Sequence, residues 1–75
     1  MKIQDIKARE HTQGREIPAG WAVWKANVKS LVDQAEITLN FEVQAANAFE
    51  VSKYVTLISE HSGSSQLKSI IQKIK

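Results

Sequence analysis

The chain has no cysteine, which excludes a disulfide framework, a thiolate metal site and a cysteine nucleophile. Its three glycines, Gly14, Gly20 and Gly63, stand apart, so no glycine-rich loop follows a strand to cradle phosphate. The two histidines, His11 and His61, are far apart in sequence. No metal-ligand spacing links them to carboxylates. Serines 59, 62, 64 and 65 surround His61, but a Ser–His pair so close in sequence lacks the rigid cleft and oxyanion donor that a serine nucleophile requires. No apolar run approaches the roughly 18–20 residues that span a bilayer. The opening Met1-Lys2-Ile3-Gln4-Asp5 has no apolar secretory core. These absences predict a cytoplasmic, non-enzymatic protein without cofactor, metal or membrane partner.

What is present suits one small globular domain: 75 residues, 43% hydrophobic and 24% charged. A chain of this length has a single core. Ten Lys and Arg against eight Asp and Glu leave a net charge of +2, below the clustered excess of dedicated nucleic-acid binders. After Glu60 only bases follow, Lys68, Lys73 and Lys75, which reads as a solvated basic tail.

Residues 1–20 are the hardest to assign. Ile3 and Ile6 suit a helical turn or an edge strand. Residues 10–20 collect Thr12, Gln13, Gly14, Pro18 and Gly20, the chemistry of a loop or mobile arm. The domain proper is then 21–75. Ile37, Leu39, Phe41 and Val43 alternate with polar residues, the period of a half-buried strand. Trp24, Ala26, Val28 and Val32 share one parity upstream, with Ser30 the blemish on that face. A loop of Asp33-Gln34-Ala35-Glu36 would set Val32 against Ile37 and Val28 against Phe41, all on one buried face.

Asn47 is a good N-cap for a helix over 48–61, with Glu50 placed to reach back to the cap amide. Ala48, Val51, Tyr54, Val55, Leu57 and Ile58 form its apolar half, opposite Ser52, Lys53, Thr56, Ser59 and Glu60. Gly63 would end it. Leu67, Ile70, Ile71 and Ile74 fit a helical stripe, yet three are β-branched. A third strand would complete a ββαβ layer, an α+β fold with strand order 2-1-3 and one helix on one face. The alternative is a β-hairpin followed by two helices.

The hairpin parity sends Trp24 to the core and puts Trp21, Val23, Lys25, Lys29 and Leu31 on the opposite, open face. Aromatic, aliphatic and cationic side chains on a rigid strand suit a protein partner. The bland alternative is that the arm folds back over Trp21, or that two chains stack these faces. The leading expectation is a small protein-binding module of the regulator or inhibitor type, as phages and mobile elements carry. The alternative is a single-stranded nucleic-acid binder, with Trp21 stacking on bases and Lys25, Lys29, Lys68, Lys73 and Lys75 contacting phosphates. Glu36 and Glu42 on the same face favour the protein partner. Phe49 falls on the polar side of the helix and is expected to pack on the strand end or the arm. The second strand's free edge leaves a monomer or a weak homodimer open.

Overall fold

The computed structural model describes residues 5–12, 14 and 16–74. Its elements run β1 (Ala8–Glu10), β2 (Ala22–Val32), β3 (Ala35–Ala45), α1 (Ala48–His61) and β4 (Ser65–Lys73). The strands form one four-stranded sheet in the order β1-β3-β2-β4, with every pairing antiparallel. One helix covers one face of this α+β fold. The expected three-stranded 2-1-3 layer therefore needs correction: a short strand from the N-terminal arm is added beside β3. The second helix of the alternative is absent from the described residues, because 65–73 is strand.

The hairpin is tighter than expected. Val32 pairs with Ala35, Ser30 with Ile37 and Val28 with Leu39, so the loop is Asp33-Gln34 alone. Both residues adopt positive φ, 50° and 67°. That is the signature of a type I′ turn, whose twist matches the strands it joins. The register differs from the expected one by two residues, and an even slip keeps every side chain on its face. The faces assigned from parity thus survive the wrong loop length.

The helix starts as its sequence dictates. Asn47 is extended (φ −156°), and its side chain accepts a hydrogen bond from the Glu50 N–H at 3.0 Å. The Glu50 carboxylate does not return to the cap amide. It accepts from the Lys7 N–H at 2.8 Å and from Lys53 Nζ at 3.4 Å, while Lys53 Nζ also donates to the Asp5 carbonyl at 2.9 Å. Arm residues 5–7 are thereby tied to the first turns of α1. At the other end Gly63 takes φ +71°. Its N–H donates to Glu60 O and the Ser64 N–H donates to Ser59 O, the paired bonds of a Schellman stop.

The core lies between α1 and the sheet and is built of small side chains: Ala26, Val28, Val43, Ala45, Val51 and Val55. Trp24, Leu39, Phe41, Tyr54 and Ile71 pack around it half-buried. Trp24 seals the rim, its Nε1–H donating to Ala45 O at 3.0 Å. Two predicted faces need correction. Ser59, placed on the polar side of the helix, is buried, and Ala48 is exposed. Ser59 stands one helical turn after Val55, which carries it into the same seam.

The helix is also shorter than the sheet beneath it. Its 14 residues span about 21 Å, whereas the 11-residue strands reach about 36 Å, close to the molecule's 40 Å long axis. The tip of the hairpin consequently projects beyond its cover.

Candidate interaction face

The strand registers fix which side chains share the face turned away from α1. Reading across β3, β2 and β4 gives Glu42, Lys25 and Gln72 in one row, Asn40, Asn27 and Ile70 in the next, then Thr38, Lys29 and Lys68. Leu31 and Ile74 border these rows. The exposed large apolar residues of this face are Leu31, Ile70 and Ile74, at 37%, 48% and 45%.

Lys29 and Lys68 are directly opposite each other across β2 and β4. Like charges so placed repel, and neither lysine has a hydrogen-bond or ion-pair partner among the described residues. Between the end of β1 and the face lies a shallow cleft of about 600 Å³, bordered by Glu10, His11, Lys25, Phe41, Glu42 and Ile74.

Two of the residues expected on the open face are covered. Val23 is 1% exposed although it lies outside the core cluster. Its cross-strand neighbour is Gln44, the largest fully buried side chain. Gln44 Oε1 accepts from Arg9 Nε at 2.6 Å, and this donor fixes the amide so that Nε2 faces the arm. Nε2 donates to His11 Nδ1 at 2.9 Å and to Glu16 O at 3.3 Å. Arg9 adds a bond from Nη2 to Glu16 O at 3.0 Å, and its guanidinium lies 5.8 Å from the centre of the Trp21 ring. The Trp21 N–H donates to Pro18 O at 3.0 Å.

Arg9, His11, Glu16, Pro18 and Trp21 therefore gather over the β1 end of the outer face, making a second, polar-centred core above Val23. Trp21 is half-buried there with a cation on its ring. These contacts tie the described arm residues to the sheet.

The remaining expected residues divide. Lys25, Lys29 and Leu31 are exposed on the outer face, and Lys68 joins them. Lys73 pairs with Trp24, whose parity faces the helix, so it leaves the set. Lys75 lies outside the described residues, as do Ile3 and Gln13. Phe49 does not pack on the strand or arm as expected. It is 69% exposed on the helix layer, with Lys53 Nζ 5.1 Å from its ring centre.

Ile70 and Ile74 are the additions that sequence reasoning missed as surface residues. The signal was in the last segment's broken alternation, which a bulge explains. Lys29 pairs with Lys68 but Ser30 pairs with Gln66, leaving Leu67 as the extra residue, while 68–73 alternate regularly with Ile70 outward and Ile71 toward the helix.

Two titratable groups away from this face are shifted. Glu50 is held below the usual carboxylate range, first by the Lys7 N–H; its partial burial opposes this, and Lys53 reinforces it. Tyr54 is pushed up by burial, with Glu10 adding repulsion. Among the described residues no three His, Asp or Glu side chains gather to hold a metal ion, and no helix is long and apolar enough to cross a membrane. Comparison with family models, curated proteins and solved structures finds no match.

Proposed function

We propose that this chain is a small non-enzymatic protein-binding module that engages its partner through the outer sheet face. The observation that carries the reading is Ile70, exposed beside the unpartnered Lys29–Lys68 pair on a rigid strand platform. An apolar anchor ringed by desolvatable polar groups is the usual anatomy of an interface centre. Carboxylates on a partner would relieve the lysine repulsion while Leu31, Ile70 and Ile74 lose contact with water.

The nucleic-acid alternative depends on Trp21 as a stacking platform, and the Arg9 guanidinium already occupies a position over that ring. No other aromatic side chain lies on this face among the described residues. Two measurements separate the readings. Affinity capture from cell extract with wild type, Ile70→Asp and Lys68→Glu should show one protein whose recovery falls about tenfold or more in both variants. Equal recovery by all three would reject the face. Tryptophan fluorescence should stay unchanged with micromolar single-stranded oligonucleotide. Quenching that collapses as salt rises would instead indicate phosphate contacts.

A further inference from the structure

From the edge of β3 that no described residue pairs with, we infer that two copies of this chain associate by antiparallel pairing of residues 35–41 about a two-fold axis at Thr38. β1 covers only Val43, Gln44 and Ala45 of that edge, and the His11 N–H donates to Glu42 O at 2.9 Å. The Glu42 carbonyl therefore points away from β2. Backbone groups alternate between the two sides of an antiparallel strand, so Asn40, Thr38 and Glu36 also direct N–H and C=O to the open edge. Among the described residues, the β1 pairing, the His11 bond and the turn leave 35–41 unpaired on this edge, with Thr38 at its centre.

The two edges of the sheet differ. β4 carries a bulge at Leu67 together with Lys68 and Lys73, and bulges and edge lysines are the devices that block strand pairing. Residues 35–41 have no bulge, no proline and no lysine. They also carry Ile37, Leu39 and Phe41 half-buried on the helix side, beyond full cover of α1. An edge with exposed backbone and an unfinished apolar row fits a second copy of itself.

Charge selects the register. With the axis at Thr38, Glu36 of each chain faces Asn40 of the other, Ile37 faces Leu39, and Phe41 faces Ala35. About six backbone hydrogen bonds form between the Glu36, Thr38 and Asn40 pairs. Moving the axis to Leu39 sets Glu36 against Glu42, a direct like-charge pair, and requires the Glu42 carbonyl that His11 already uses. In the Thr38 register the partner's turn end, residues 34–35, comes beside the end of β1, where the cleft lined by Glu10, His11, Asn40, Phe41 and Glu42 opens. The outer face remains free, so this association is independent of the partner-binding proposal.

The test uses the full chain. Sedimentation equilibrium up to about 1 mM should show a species of twice the 8.4 kDa chain mass that dissociates on dilution. Thr38→Pro removes an edge-facing N–H and no ladder bond, so it should stay folded by circular dichroism and sediment as a monomer throughout. Since the chain has no cysteine, Thr38→Cys should form a disulfide-linked dimer on mild oxidation, and Gln72→Cys on the outer face should not. If Thr38→Pro fails to fold, the cysteine variants decide alone. A wild type that stays monomeric at the highest concentration, a dimer that survives Thr38→Pro, or cross-linking through position 72 in place of 38 would each overturn the inference.

Discussion

Replacing Gln44 with methionine should release the arm while sparing the main core. The substitution keeps the side-chain volume close to native and removes both polar ends of the amide. Arg9 Nε loses its 2.6 Å acceptor, and His11 Nδ1 and Glu16 O lose their donor. Glu16 O retains Arg9 Nη2, so the damage concentrates on Arg9 and His11. A hydrogen bond to a charged donor contributes about 1.5–3 kcal/mol and a neutral one about 0.5–1.5 kcal/mol. Arg9 and His11 can regain water when the arm lifts, which caps the loss at about 2–3 kcal/mol. At about 4–8 °C per kcal/mol for a domain of this size, Tm should fall by about 8–24 °C. In a Trp24→Phe background the Trp21 emission should shift to the red as the ring leaves its half-buried site. A Gln44→Met protein with Tm within about 2 °C of wild type and unshifted Trp21 emission would show that the buried amide does not hold the arm.

Other expected outcomes follow from single contacts. The hydroxyls of Ser30 and Ser59 are buried without partners among the described residues, so Ser30→Ala and Ser59→Ala should be neutral or stabilising by up to about 1 kcal/mol in urea unfolding; a loss above that size contradicts the assignment. Gln34 sits at φ 67°, and Gln34→Gly should raise stability by about 0.5 kcal/mol, the relief of a left-handed conformation less glycine's unfolded-state entropy. No gain would mean that the turn is not strained. Glu50 has a depressed folded value, so its contribution is present above the ordinary value of 4.5 and is lost as pH falls through the lowered one. Glu50→Gln should flatten that acid limb of the stability curve, and an unchanged limb would remove the Lys7 contact from the account.

Much of the architecture was legible because it depends on periodicity. The alternation in 37–43 and the Asn47 and Gly63 signals state a strand and a helix with its two ends. Side-chain parity carried the face assignment through an incorrect loop, since Asp33-Gln34 is not a sequence that advertises a type I′ turn. The candidate site was harder to see. Gln44 reads as one more solvent-side residue in an alternating strand, and its burial arises from Arg9, His11 and Glu16 contacts that no local pattern encodes. The same fold-back removed Val23 and most of Trp21 from the open face. Ile70 is a surface residue because it follows the outward parity of Lys68 and Gln72, opposite Ile71, in a stretch that pairs with β2 without interruption; the adjacent isoleucines read equally as part of a helical stripe. β1 is too short for periodicity to register.

The central claim, that the outer sheet face receives a protein partner, is tested most directly by placing a photo-crosslinking residue at Asn27, in the middle of that face, and separately at Glu60 on the exposed side of the helix. Irradiation in cell extract should link position 27 to one defined protein, should lose that product when Ile70→Asp is added, and should give no matching product from position 60. Equal products from both positions, a product indifferent to Ile70→Asp, or linkage to nucleic acid would contradict the account.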